Sequence, residues 1–288
     1  MKATAITAIT LMLAVSIIFT AGCISSSDTT EKNVVIVKTQ ETTLQPVSYD
    51  DSQVQYSDVN GVTIAYREFG TENKEPLLMI IGFGGVMEDW NTTFIGILSE
   101  KYHVFLYDHR GIGKSTDVEE QFTISQLSDD AADLITALGY EKMNIYGVSM
   151  GSTVSQRLLI DHPDKVRKAV LSSAAYSSNI PETEKLHGLL KDAAENPDSP
   201  KGVQKEAVAN LLYEGSYDGL SGITNDVMLI TGTADDITPQ SVAVDIADKI
   251  DGSWLVRFKG IPHVGSSYAP EEYGQIVTTF LEMDESPA

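Results

Sequence analysis

The stretch Met143–Gly151 decides the fold. It reads Met-Asn-Ile-Tyr-Gly-Val-Ser-Met-Gly, an apolar run that ends in Gly147, Ser149 and Gly151. Residues 151–160 then follow a helical apolar pattern, so the order is strand, sharp turn and helix. The two glycines permit a turn that side chains would block, and the serine is left at its tip. This pattern predicts that Ser149 is presented as a nucleophile at the end of a buried strand.

Outward from Ser149, short apolar runs and amphipathic stretches alternate. This order is typical of βαβ units, so we predict an α/β fold with a mostly parallel central sheet flanked by helices. The alternation breaks once, at about 176–222, where two helical pieces predict a small helical lid insertion. Predicted strands are 62–69, 77–81, 102–107, 143–148, 168–173, 227–231 and 254–258, and predicted helices outside the lid are 129–138, 151–160, 240–250 and 271–282.

A serine hydroxyl is a weak nucleophile and needs a general base. Of the five histidines, His263 follows the last predicted strand, where a loop reaches the ligand-binding ends of the strands. We therefore predict His263 as the base, with His109, in the loop after strand 102–107, as the alternative. The other three lie at a strand start, a helix end and in the lid: His103, His162 and His187.

The base needs a carboxylate that holds its tautomer and stabilises the imidazolium. Asp235 follows strand 227–231 in the run Gly-Thr-Ala-Asp-Asp-Ile-Thr-Pro, and we predict it for this role. Asp236 is the adjacent alternative. A structural role remains open for either, because Asp often caps a helix and Pro239 marks a helix start.

An oxyanion needs two backbone N–H donors. We predict that one belongs to Met150, the residue after the nucleophile. The second is expected from the glycine-rich loop after strand 77–81, which reads Gly82-Phe83-Gly84-Gly85, and we assign it to Phe83.

From about residue 61 to residue 280 the chain resembles the α/β-hydrolase superfamily. The likeness rests on the motifs above, on their order Ser, Asp, His, and on 107–115, Tyr-Asp-His-Arg-Gly-Ile-Gly-Lys-Ser, which is similar to the family's D-x-R-G-x-G-x-S stretch. Ile81 departs from the pattern, since many members have His there. The resemblance implies a serine hydrolase of carboxylic esters or lactones that works through an acyl-enzyme on a small-molecule substrate, without a cofactor.

Two other classes of function stay open. The same fold supports aminopeptidases and carbon–carbon bond hydrolases, and an aminopeptidase would need lid carboxylates facing Ser149; Glu182, Glu184 and Asp192 are available. A non-catalytic surface binding protein is the third possibility. Apolar lid residues either line an acyl pocket or seat the lid on the core: Leu186, Leu189, Leu190, Leu211, Leu212 and Tyr213.

The N-terminus reads as a targeting segment. Residues 1–22 have a positive start, an apolar middle and a small-residue end, as in a signal peptide. Thr20-Ala21-Gly22-Cys23 resembles a lipobox with Thr in place of the usual Leu, so we predict lipidation of Cys23, with simple cleavage or an uncleaved anchor as alternatives. Polar residues 23–52 predict a flexible tether before a domain at 53–283. The domain is therefore expected outside the cytoplasm, tethered to the outer face of the cell membrane.

The net charge and the cysteine content limit the binding partners and covalent links that we expect for this chain. The formal net charge of -21 argues against nucleic acid, because phosphate binding needs a basic surface. We expect membrane contact only through the N-terminal anchor. The single cysteine excludes an intramolecular disulfide, and the oligomeric state is left open.

Overall fold

A computed structural model describes residues 46–284, and within them one twisted sheet forms the centre. Its eight strands have the order β1-β2-β4-β3-β5-β6-β7-β8. The β2 strand is antiparallel to both of its neighbours, and all later pairs are parallel. The strands are β1 (Gln55–Val59), β2 (Val62–Phe69), β3 (Pro76–Ile80), β4 (His103–Tyr107), β5 (Met143–Val148), β6 (Val166–Ser172), β7 (Asp226–Gly232) and β8 (Trp254–Phe258).

Helices cover both faces of this sheet. They are α1 (Thr92–Ser99), α2 (Ile124–Ala137), α3 (Met150–Asp161), α4 (Glu184–Glu195), α5 (Lys201–Leu211), α6 (Gln240–Lys249) and α7 (Pro270–Leu281). One core cluster joins the sheet to α2, α3 and α6, and the other joins it to α1 and α7. Strand β3 is buried on both faces, because its side chains alternate between the two clusters. The predicted fold class is confirmed.

The elements that the sequence did not predict are β1 and α1. Strand β1 is a mostly polar edge strand whose first residues are exposed, so it lacks the apolar alternation of a core strand. It pairs with β2 through a turn in which Asn60 and Gly61 both have positive φ, 46° and 77°. Helix α1 is short and buried from Phe94 to Ser99, so it has no polar face to reveal a helical period.

Residues 46–52, which the sequence assigns to the tether, include Tyr49, and this side chain contacts the domain. The Tyr49 hydroxyl donates to the Trp90 carbonyl at 2.7 Å, and Arg67 Nη1 donates to the Tyr49 carbonyl at 2.9 Å. The polar composition of residues 46–52 gives no sign that the Tyr49 side chain contacts the domain. The predicted signal peptide 1–22, Cys23 and the rest of the tether lie outside the described residues.

The connection between β6 and β7, residues 173–225, contains α4 and α5 and covers the predicted lid segment. We call it the insertion. Helix α5 lies close to the core, since a Cβ added at Gly202 would overlap the Gly111 carbonyl. Lys205 Nζ also contacts the Val118 carbonyl. Helix α4 is more exposed, and Leu190 is its buried side chain.

Candidate active site

Ser149 lies on the turn that joins β5 to α3, with φ 55° and ψ -121°. Such a conformation is rare for a residue with a Cβ and is kept only where the surroundings enforce it. A Cβ at Gly147 would overlap Ser155 Oγ, and one at Gly151 would overlap the Ile80 carbonyl. Both glycines are therefore required by packing, and the serine is held at the carboxyl end of the sheet.

The structure brings together the three predicted polar side chains. His263, in the loop after β8, has its Nε2 2.9 Å from Ser149 Oγ. Its Nδ1 lies 2.9 Å from Oδ2 of Asp235, in the loop after β7. This is the geometry in which a neutral imidazole accepts the serine proton while the carboxylate orients it.

Asp235 is surrounded by donors. Its Oδ1 accepts from the backbone N–H groups of Ile237 at 3.0 Å and Thr238 at 2.9 Å, in addition to the His263 contact at Oδ2. Burial works to raise the pKa of Asp235, but His263 and the two N–H groups together hold it below its ordinary value. The alternative acid, Asp236, is exposed and pairs with Lys185 Nζ at 2.6 Å.

Thr238 belongs to the site and was not predicted. Its buried Oγ1 lies 3.0 Å from Asp235 Oδ2, 3.2 Å from His263 Nδ1 and 3.0 Å from the Ser173 carbonyl. The Thr238 hydroxyl thus helps to hold Asp235 and His263 in position relative to each other. In the sequence, the signal for this role was the position of Thr238 three residues after Asp235. Pro239 directly after it suggested a helix start instead.

The other histidines do not reach the serine. His109 is buried beside the Ile81 carbonyl, 3.3 Å from its Nε2, and burial lowers its pKa to about 4. It therefore supports the loop that precedes Gly82. The remaining three bond elsewhere: His103 to Glu68 and Tyr140, His162 to Asp129, and His187 to Asn179.

The two predicted oxyanion donors flank Ser149. Met150 is the first residue of α3, where the helix dipole favours negative charge. Phe83 and Met150 line one cavity with Ser149. The backbone at Gly82 lies close to Ser149, because a Cβ added at Gly82 would lie 3.1 Å from Ser149 Cβ. The next glycine, Gly84, donates its N–H to Glu206 Oε2 of α5 at 2.7 Å.

The enclosed space above Ser149 is small, with a volume of about 10 Å³, which is room for roughly one water molecule. Of the apolar lid residues, Leu186, Leu190 and Tyr213 line it, while Leu189 and Leu212 are exposed. Its other lining residues are Phe83, Ser149, Met150, Thr153, Ala175, Ser177, Ser178, Asn210 and Thr238. The lid carboxylates Glu182, Glu184 and Asp192 are exposed and outside this lining.

Over residues 46–284, no helix combines the length and apolar character needed to cross a membrane. The same range contains no group of three or more His, Cys, Asp or Glu side chains that could hold a metal ion.

Known proteins resemble this chain in sequence. Residues 75–196 match the family model described as alpha/beta hydrolase fold. A protein of Caulobacter vibrioides named as a carbamate hydrolase, RutD, is 31% identical over 99 residues, which is 34% of this chain and 36% of that protein. The (E)-2-((N-methylformamido)methylene)succinate hydrolase of Acinetobacter baylyi is 24% identical over 77% of this chain and 95% of its own.

A solved structure agrees with these matches. The enol-lactonase of Burkholderia xenovorans LB400 superposes with a TM-score of 0.69 at 22% identity, covering 80% of this chain and all of that one. Likeness at this identity shows the fold, whereas the match at 75–196 is one of sequence. The chain therefore has the α/β-hydrolase fold, and residues 75–196 match the family model of that fold in sequence.

Proposed function

We propose that this protein is a serine hydrolase of carboxylic esters or lactones that forms an acyl-enzyme on Ser149. The observation that carries the proposal is the pair of contacts at His263, 2.9 Å to Ser149 Oγ on one side and 2.9 Å to Asp235 Oδ2 on the other. A serine with a base and an oriented carboxylate in this order is the arrangement that makes a hydroxyl nucleophilic.

In the proposed reaction, Ser149 Oγ attacks the carbonyl carbon while His263 Nε2 takes its proton. The N–H groups of Phe83 and Met150 stabilise the oxyanion of the tetrahedral intermediate. His263 then gives the proton to the leaving alkoxide, and the C–O bond breaks to leave the acyl-enzyme. Water then attacks the acyl-enzyme ester while His263 Nε2 takes its proton. His263 returns that proton to Ser149 Oγ as the bond from the acyl carbon to Oγ breaks and the acid leaves. Asp235 stays ionised and stabilises the imidazolium in both halves.

The cavity supports an uncharged acyl group over a free amine. Phe83, Leu186 and Leu190 give it apolar walls. An aminopeptidase needs a carboxylate near the serine for the substrate's ammonium group. The lid carboxylates Glu182, Glu184 and Asp192 are exposed, and no carboxylate of the described residues lines the cavity. Carbon–carbon bond hydrolysis would use the same three side chains, so the test below separates labelling of Ser149 from turnover of esters and lactones.

For the N-terminus, we propose that removal of residues 1–22 exposes Cys23 for lipidation and that the domain is held at the outer face of the membrane. The residues Thr20-Ala21-Gly22-Cys23 support this proposal. Metabolic labelling with a radioactive fatty acid tests it, with Cys23→Ser as the control. Label on the wild-type chain and none on the variant is expected; equal labelling contradicts the proposal.

The test of the catalytic proposal treats the full chain with a fluorophosphonate probe and locates the adduct by mass spectrometry. We expect the adduct on Ser149, its loss in Ser149→Ala, and its retention in the control Ser267→Ala, an exposed serine nearby. Hydrolysis of short esters and lactones should fall at least about 10⁴-fold in Ser149→Ala. A folded wild-type sample that takes no label would favour the binding-protein alternative. Label without ester or lactone turnover would favour amide or carbon–carbon bond substrates.

A further inference from the structure

The insertion places one buried carboxyl against the oxyanion loop, which we define as residues 82–85. The Glu206 side chain of α5 is fully buried, and its Oε2 accepts the Gly84 N–H at 2.7 Å. Its other oxygen, Oε1, is buried without a hydrogen-bond partner among residues 46–284. Gly84 directly follows Phe83, the proposed oxyanion donor, so this bond acts on the peptide next to the reacting atoms.

Packing holds the first turn of α5 close to this contact. Gly202 lies so close to Gly111 that a side chain would overlap the Gly111 carbonyl. Val203 covers Gly84, since a Cβ added there would be 3.6 Å from Val203 Cγ1. Because these contacts lie within one turn of Glu206, the carboxyl is delivered by a rigid element rather than by a mobile side chain on the surface.

The oxyanion loop needs such an external contact. The Gly85 N–H donates to the Gly82 carbonyl at 3.1 Å and closes the loop into a turn, and Gly84 has φ +69°, a conformation that glycine adopts freely. The Phe83–Gly84 peptide at the tip of this turn takes no part in that bond, so the Gly84 N–H depends on its bond to Glu206. Loss of the acceptor would leave a buried N–H without a partner, which costs the desolvation free energy of that group. Rotation of the peptide toward another acceptor relieves that cost and moves Phe83.

The charge state of Glu206 suits this place. Burial raises its pKa to about 8, and the bond from Gly84 N–H offsets only part of that effect. At neutral pH the carboxyl is therefore mostly protonated. A neutral acceptor holds the loop without placing a full negative charge beside the position where an oxyanion forms.

We propose that Glu206 is a positioning residue for the oxyanion loop, which fixes the Gly84 N–H and through it the direction of the Phe83 N–H. This inference rests on the proposed function for its catalytic consequence. It gives the insertion a second role besides covering the cavity: one of its helices completes the machinery that stabilises the transition state.

Three variants and a control test the proposal in the full chain. Glu206→Gln keeps an acceptor oxygen at the same reach, Glu206→Leu removes it at similar volume, and Glu206→Asp keeps the acid but is one methylene too short. Glu195→Leu makes the same chemical change at an exposed carboxylate of α4. Circular dichroism confirms folding, ester hydrolysis gives kcat and KM, and hydrogen exchange reports the amides of 82–85.

We expect Glu206→Leu and Glu206→Asp to lower kcat about 10- to 100-fold with little change in KM, because a misplaced donor acts only on the transition state. Glu206→Gln should stay within about threefold of wild type, and Glu195→Leu should match it. Exchange at 82–85 should be faster in the Leu and Asp variants and unchanged in the Gln variant. If the Leu variant does not fold, the Asp variant carries the comparison.

The opposite results are equally clear. Unchanged kcat in folded Leu or Asp variants, a change confined to KM, or a Gln variant as impaired as the Leu variant overturns the proposal. Unchanged exchange at 82–85 in those variants overturns it as well. If the wild type neither labels nor hydrolyses, the catalytic proposal has failed, and the exchange data still decide whether Glu206 holds the loop.

Discussion

The loop after β7 holds a buried carboxyl against His263, helix α5 holds another against the oxyanion loop, and the two carboxyls differ in charge. Asp235 receives hydrogen bonds from two backbone N–H groups and from His263, and its pKa is lowered despite burial. Glu206 receives one bond, from Gly84 N–H, and burial raises its pKa to about 8. The number of donors separates the two cases, since both side chains are buried.

The charge states of Asp235 and Glu206 suit the groups that the two carboxyls contact. Asp235 lies against an imidazole that becomes positive during the proposed reaction, so a fixed negative charge stabilises it. Glu206 lies against the loop proposed to hold the oxyanion, where a negative charge would oppose the reaction. The two carboxyls therefore have opposite pKa shifts, and the number of hydrogen-bond donors around each one accounts for the difference.

The largest expected effect comes from removing the charge at the first carboxyl. Asp235→Asn should lower kcat about 10⁴-fold, because the amide favours the wrong imidazole tautomer and leaves the imidazolium unpaired. Steady-state ester hydrolysis measures this, with Asp236→Asn as the matched control, expected within about twofold of wild type because Asp236 is exposed. If both variants lose activity equally, the assignment of Asp235 is wrong.

Displacing the second carboxyl should have the next largest effect. Gly202→Ala forces α5 away from Gly111, so we expect kcat to fall about 10- to 100-fold. The unfolding free energy should fall by about 1–3 kcal/mol through overpacking. Gly188→Ala is the control on α4, where an added Cβ meets nothing within 4 Å. That substitution should preserve activity and raise stability by up to about 1 kcal/mol through helix propensity. A Gly202→Ala enzyme with full activity would show that α5 need not stay in place.

The raised pKa of Glu206 should appear in the pH dependence of stability. The pKa of the carboxyl is 4.5 in the unfolded chain and about 8 in the folded one. Below pH 4.5 it is protonated in both states, and its full contribution to the free energy of unfolding is present. Between these values the unfolded state releases the proton first, and stability falls with rising pH by up to about 1.4 kcal/mol per unit.

Urea unfolding between pH 5 and pH 8 measures this slope. We expect it to be shallower in Glu206→Gln, which has no proton to release, and unchanged in Glu195→Gln. Identical slopes in all three proteins would mean that Glu206 is ionised in the folded state, and the contrast with Asp235 would disappear.

The smallest expected effect concerns the side support of Asp235. Thr238→Val removes the hydroxyl that lies 3.0 Å from Asp235 Oδ2 and keeps the side-chain shape. Because two N–H groups and His263 remain, we expect kcat to fall only about 3- to 10-fold, the effect of one neutral hydrogen bond. Thr279→Val, at an exposed threonine of α7, should have no effect. A loss as large as that of Asp235→Asn would give Thr238 a greater part than the contacts indicate.

Much of the fold was predictable because buried parallel strands have apolar runs that glycine-rich turns terminate. The same turns place Ser149, Asp235 and His263 at the strand ends, so their proximity followed from the order of elements. Glu206 gave no such signal. It is one glutamate on a helix with a weak pattern, and its partner Gly84 lies 122 residues away.

Local patterns also failed at the edges of the domain. Residues 46–52 look like a tether by composition, and the contacts of Tyr49 with Trp90 and Arg67 depend on the folded sheet edge. Helix α1 was missed since burial on all sides removes the periodicity by which helices are predicted. In both cases the missing information lies outside the local sequence, in the residues that surround the segment in the folded domain.

The space of about 10 Å³ above Ser149 has a consequence for substrate selection. In the proposed reaction, an acyl group that is to occupy this space has to displace part of its wall. Helix α4, which contributes Leu186 and Leu190, is the more exposed of the two helices of the insertion. Under the proposed function, the free energy of moving α4 would therefore limit the size of the acyl group that fits above Ser149.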